Sequence, residues 1–171
     1  MPKSGALKPH DIAVALRLAE MPEASYAALA ADLSMSPSTA HQSVERLQAA
    51  GLLRPDSRHA NRHSLIEFLE HGVRYSFPVR LERHARGVPT AYSGPPLANE
   101  ILSDEAIVWP DANGNAFGQS MAPLYPNATK LPDTCPSVYE LLTLVDAIRM
   151  GRSRERSMAV EKMKERLAPA A

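Results

Sequence analysis

The stretch Ser25-Tyr26-Ala27-Ala28-Leu29-Ala30-Ala31-Asp32-Leu33-Ser34-Met35-Ser36-Pro37-Ser38-Thr39-Ala40-His41-Gln42-Ser43-Val44-Glu45-Arg46-Leu47-Gln48-Ala49-Ala50-Gly51-Leu52-Leu53 is the most legible part of the chain. Ser25 has the side chain of an N-cap, and Tyr26, Leu29, Ala30 and Leu33 then recur at the spacing of one helix face. Ser34-Met35 reads as a turn. Ser36 caps a second helix whose first residue is Pro37, where a missing N–H costs nothing. Ala40, Val44 and Leu47 form the inner stripe of that helix. Gly51 stands where a left-handed residue ends it, and Leu52-Leu53-Arg54 leaves as a short strand. Upstream, Ile12, Leu16 and Ala19 after Pro9 predict another helix, stopped at Pro22.

Helix, short helix, tight turn, helix, glycine, strand is the order of a helix-turn-helix, which presents its last helix to the DNA major groove. Leu29-Ala30, Leu33, Ser36, Ser38-Thr39, Val44, Leu47 and Gly51-Leu52-Leu53 carry the likeness. On these residues, about 9 to 54, the chain resembles the winged helix-turn-helix transcriptional regulators of bacteria, the MarR-like and IclR-like groups. The resemblance implies a repressor that binds double-stranded DNA as a homodimer. The chain departs from that pattern after Leu53. Leu65, Ile66, Phe68 and Leu69 predict a short helix ending at Gly72 where a wing would return, and Val73 to Phe77 alternates like a strand.

With Ala40, Val44 and Leu47 inward, a rotation of about 100° per residue turns Ser38, Thr39, Gln42, Ser43 and Arg46 outward or to the flanks. Glutamine pairs with adenine, arginine with guanine or phosphate, and hydroxyls with either. Ser36, Ser38, Thr39, Gln42, Ser43 and Arg46 are therefore the expected groove contacts. Arg54, Arg58 and Arg62 are the expected phosphate contacts, which make binding salt-dependent. His41, at the edge of the inner stripe, is expected to pack or to touch phosphate.

The 171 residues carry 19 basic and 19 acidic side chains, a balance that superficially speaks against nucleic acid. Position matters more than the total. Arg54 to Arg86 holds seven arginines against four acids, together with four of the six histidines. Arg149, Arg152, Arg154 and Arg156 stand against Glu155, while Glu20, Glu23, Asp104, Glu105, Asp111 and Asp133 lie outside both clusters. At 44% hydrophobic and 22% charged the composition is that of a folded domain.

The lone Cys135 excludes an intrachain disulfide and a multi-cysteine metal site. His59 and His63 stand one helical turn apart, but no further soft ligand accompanies them, so no metal and no cofactor are expected. There is no phosphate loop and no nucleophile elbow, and an enzyme is not expected. No signal-peptide core follows the basic N-terminus, and no apolar run has the roughly 20 residues of a membrane span, so a cytoplasmic chain without membrane contact is expected.

Nine of the fifteen prolines fall between Pro78 and Pro136. The expected fold class is α+β. A winged helix-turn-helix over 1–77 precedes a proline-rich strand and loop region over 78–136, and a helical C-terminal region over 137–171 offers a dimer seam. In the middle region Ala106–Trp109 and Ala116–Ser120 read as strands around an Asn113-Gly114 hairpin turn, and the bonds to Pro126, Pro132 and Pro136 predict extended backbone at Tyr125, Leu131 and Cys135. In the last region Ser137 with Glu140 forms a capping box. Val138, Leu141, Leu142, Val145 and Ile148 make one stripe, and Val160, Met163 and Leu167 another. Two alternatives keep the helix-turn-helix but not its purpose. One is an antitoxin-like module that binds a second protein through residues 78–136 and regulates its own promoter. The other is a small-molecule sensor with a pocket around Trp109, Phe117 and Tyr125.

Overall fold

The structure is a computed structural model and describes residues 5–169. Among them are eight α-helices and one small three-stranded sheet, an α+β fold. Helices α1 (Asp11–Glu20), α2 (Tyr26–Leu33) and α3 (Pro37–Ala50) open the chain. Their boundaries agree with the expected signals. The Ser25 hydroxyl accepts from the Ala28 amide at 3.0 Å, and the Ser36 hydroxyl from the Thr39 amide at 3.1 Å. Ser34 turns the chain in the left-handed region at φ 56°, and Gly51 ends α3 at φ 81°, where a side chain is strained. Leu29, Leu33, Ala40, Val44 and Leu47 are buried against α1, which is itself buried on nearly every side.

The segment after α3 is shorter than a wing. Leu53 and Ala60 make one isolated antiparallel bridge around a loop over 54–59. Asn61 then caps α4 (Arg62–His71), the helix expected from Leu65 to Leu69. The strand expected over Val73 to Phe77 is instead a helical turn, α5 (Val73–Ser76). Amides of Tyr75 and Ser76 bond back to the Gly72 carbonyl, so the five-residue alternation finds no partner strand.

Strands β1 (Leu81–Pro89), β2 (Ile107–Pro110) and β3 (Ala116–Met121) close into a small barrel. The expected hairpin between the second and third strands does not form. Both run antiparallel to β1 and parallel to one another, with Ile107 opposite Gln119 and Val108 opposite Ser120. Gly87 pairs with Pro110 on one side and Ala116 on the other, and the loop between them crosses it. A Cβ on Gly114 would lie 2.2 Å from the Gly87 carbonyl carbon. Gly114→Ala is therefore expected to pry the loop from Gly87 at about 1–3 kcal/mol. The check is hydrogen exchange at the amides of residues 85–89 and 116–120, which should quicken selectively; uniform exchange across the chain would contradict the crossing.

The 125–134 segment fastens onto the end of α2. Tyr125 Oη donates to the Leu33 carbonyl, Asn127 to that of Ser34 and Thr134 to that of Asp32. These are the carbonyls a helix C-terminus leaves without internal partners. Tyr125 is extended as expected. Leu131 instead has helical angles, because Pro132 occupies the first turn of a short helix, α6 (Leu131–Thr134), where proline is tolerated.

Helix α7 (Pro136–Met150) is the centre of the molecule. The expected stripe is buried, and so are Tyr139, Thr143, Leu144, Asp146 and Ala147 on the other sides, because α7 touches α1, α4, α5, α6 and the last helix, α8 (Ser153–Leu167). The capping box is not made: α7 begins at Pro136, and the Ser137 hydroxyl donates to Glu20 while Glu140 pairs with Arg166. On α8 the inner positions are Ala159, Met163 and Leu167, with Val160 half-buried at the edge. One apolar cluster runs from Ile12 through Trp109 to Leu167 and joins all three sequence regions. No helix of the described residues is long and apolar enough to cross a membrane.

Candidate nucleic-acid interface

The position of α3 is set by a buried polar cluster. Asp11, fully buried at the start of α1, accepts from Arg46 Nε at 2.8 Å and Arg46 Nη2 at 2.8 Å, and from Ser43 Oγ at 2.6 Å. The Lys8 amide donates to Asp11 Oδ2 at 2.8 Å. His10 Nε2 lies 3.2 Å from Arg46 Nη2. The expected outward placement of Ser43 and Arg46 is therefore corrected. The turn of the helix that carries them faces α1, and a carboxylate already buried there draws a bidentate guanidinium inward.

Burial pushes the Asp11 carboxyl up, but Arg46, the Lys8 amide and Ser43 outweigh it and hold the group below its ordinary value. Burial lowers His10; Asp11 pulls it up, and Arg46 and Lys8 press it further down. Both groups bind protons less readily folded than unfolded. Stability is thus complete above the ordinary histidine value, about 6.5, and declines as pH falls through the lowered His10 value and again through that of Asp11. In urea melts across this range, His10→Gln should abolish the upper decline; an unaltered decline would refute its origin at His10.

On α3 the polar side chains left exposed are Ser38, His41, Gln42 and Glu45. Ser36 and Thr39 are engaged in the cap, their hydroxyls 2.8 Å apart, with Thr39 half-buried. His41 stacks obliquely on Tyr26, ring centroids 5.0 Å apart, with Nδ1 3.7 Å from Glu45. The Arg58 guanidinium lies 5.0 Å from the centroid of the same Tyr26 ring. Gln48 Nε2 donates to the Ser57 carbonyl at 2.8 Å, which fastens the 54–59 loop beside α3. Arg54 is exposed in that loop, with its backbone amide bonded to His59. Arg62 lies elsewhere. It donates to the carbonyls of Leu167 at 2.5 Å and Ala19 at 2.7 Å, closing the ends of α8 and α1, so the expected phosphate contact at Arg62 is replaced by a structural one.

Of the nine residues expected at the interface, Ser36, Ser38, Gln42 and Arg54 are exposed and Thr39 and Arg58 half-buried, with the loop that carries Arg54 and Arg58 fastened beside α3 by Gln48. Beside them stand His41, which packs on Tyr26 as one of its two expected roles, and Glu45, which sequence spacing does not single out. Tyr26, expected on the inner face of α2, is half-buried, so that one ring edge packs while the face meets Arg58 and His41. The face is nearly neutral, since Glu45 and Asp56 accompany Arg54 and Arg58.

The residues expected to form a sensor pocket do not all face one interior. Trp109 and Tyr125 are buried and hydrogen-bonded to Asp146 and Leu33, whereas Phe117 points outward, 65% exposed. Among the described residues no three metal-ligating side chains come together. Compared with models of known protein families, with curated proteins and with solved structures, the chain matches none.

Proposed function

We propose that this chain is a sequence-specific DNA-binding transcriptional regulator of the winged helix-turn-helix kind, a repressor in its resting mode, with the wing reduced to the 54–59 loop. One observation carries the reading. Helix α3 is pinned from behind to α1 by Asp11, Ser43 and Arg46, while Ser38 and Gln42 in its leading half are exposed and, among the described residues, have no side-chain partner beyond the cap. Gln42 and Ser38 read base edges in the major groove; Arg54 and Arg58 hold phosphates on its rim. A nearly neutral face gives weak non-specific attraction, so specific binding rests on two copies at paired half-sites. Because α7 is enclosed by its own chain, its apolar stripe belongs to the core and is not the homodimer seam.

Duplexes selected from a random pool provide the test by gel shift. Gln42→Ala should weaken binding to the selected sequence by about 1–3 kcal/mol and relax preference at one base pair. Arg54→Ala should lower affinity for all sequences alike and reduce the salt slope by about one. A pool from which no duplex is enriched, or Gln42→Ala binding unchanged, would defeat the assignment. A second reading, a protein partner held by residues 78–136, is favoured by Leu102 and Phe117, large apolar side chains exposed to 98% and 65%. Under that reading, serine at both positions abolishes partner retention and leaves DNA binding intact.

A further inference from the structure

A groove of 510 Å³ lies between α4–α5 and α8, remote in sequence from the α3 face, and within the size range of small-molecule sites. The geometry points to a binding site there for a small organic monoanion, a flat apolar body joined to one oxyanion group. Charge sets the ionic requirement. Arg74, Arg156 and Lys164 line the groove with Glu70 and Glu161. Lys164 Nζ is 3.0 Å from Glu70 Oε2, so these two balance one another. His71 Nε2 leans on the same carboxylate at 3.8 Å. Arg74 and Arg156 then face Glu161 alone, a surplus of one positive charge. A singly charged oxyanion completes that balance, whereas a dianion would be repelled by Glu161.

Two guanidinium groups that line the groove keep donors the protein does not use. Arg156 Nη2 donates to the Gly151 carbonyl at 3.2 Å, yet its Nε is buried with no partner. Among the described residues it is the one buried side-chain nitrogen or oxygen in that condition. An unmet buried donor is costly, about 1–3 kcal/mol, unless a ligand or water satisfies it. Arg74 bonds to the Tyr75 hydroxyl and lies 4.6 Å over that ring, which leaves other guanidinium hydrogens free for an acceptor. Tyr75 explains the flat apolar body. It is 70% exposed, it lines the groove, and Val160 lies opposite on α8. A ring packed edge-on between Tyr75 and Val160 would leave an attached oxyanion beside the Arg74 guanidinium, which itself covers one face of Tyr75.

The oxyanion chemistry is shared by carboxylates and phosphodiesters, so calorimetry with the full chain uses one probe of each. Naphthoate is compared with neutral naphthamide, and adenylyl-adenosine with adenosine. At least one anion should bind about tenfold or more tightly than its neutral partner, a difference of about 1.4 kcal/mol. Arg156→Gln and Arg74→Gln should each erase that margin, with circular dichroism and urea midpoints reporting that the fold is kept. Among the described residues the Arg74 side chain bonds only to Tyr75 of its own helix, so its variant remains informative if loss of the Arg156–Gly151 bond loosens the turn before α8. Failure of both anions to bind at millimolar concentration would overturn the site, as would a margin that survives both substitutions. Neither result bears on DNA binding by α3.

Discussion

Arg46→Ala is expected to destabilise the fold by about 3–5 kcal/mol, the cost of leaving a buried carboxylate without its counter-charge. Asp11 would keep the Ser43 hydroxyl and the Lys8 amide as donors, with His10 Nε2 3.5 Å away, inside a site where neither Asp11 nor Arg46 reaches solvent appreciably. Urea melts of the single variants and of Asp11→Leu with Arg46→Met separate coupling from simple loss of packing. The double variant should be more stable than the sum of the two single losses predicts, because it removes both charges together. Additive losses would contradict the pair. A base-reading arginine would leave the melt unmoved and weaken DNA binding alone, so the same variant also decides between the outward and inward placement of this side chain.

The second large effect is expected at Asp146. Its carboxylate, in the C-terminal third of α7, accepts from Thr90 Oγ1 at 2.6 Å, Trp109 Nε1 at 2.7 Å and Arg149 Nη1 at 2.8 Å. Arg149 Nε in turn donates to the Phe77 carbonyl at 2.8 Å. Complete burial pushes the carboxyl upward, against Arg149, Thr90 and Trp109 pulling down. Through Asp146 and Arg149 α7 thus holds the end of β1, the second strand of the barrel and the segment after α5. Asp146→Ala strips three buried donors of their acceptor and should cost about 3–5 kcal/mol. Trp109 is the single tryptophan, so its emission reports the site directly. A red shift at sub-denaturing urea, ahead of helix loss, is expected if the barrel detaches first. A melt within experimental error of the parent would contradict this role for Asp146.

Local signals in the sequence carry the first three helices because each boundary is chemically marked: Ser25 and Ser36 as caps, Pro37 in a first turn, Gly51 beyond an end. The sequence marks nothing comparable for long-range pairing. Asp11 and Arg46 are separated by 35 positions, and helical periodicity alone leaves Arg46 on a flank; only the tertiary partner draws it inward. Arg62 departs from expectation for the same reason, since its acceptors are the carbonyl ends of two other helices. The barrel is half legible. Its second and third strands obey β-patterning, but Asn113-Gly114 signals a hairpin only where the flanking strands pair antiparallel with each other, and here both run antiparallel to β1. The apolar stripe of α7 is visible in the sequence, whereas its burial on every side is not. A chain cut near Pro136 is accordingly expected to lose its core rather than only a dimer seam.

The most direct measurement tracks backbone amide resonances of the full chain as the tightest duplex from a random pool is added. DNA read by α3 predicts the largest shifts at residues 36–42 and 54–58, with Gln42→Ala diminishing them and residues 81–121 unmoved. Shifts centred on the barrel, or no shifts with any duplex of the pool, would contradict it.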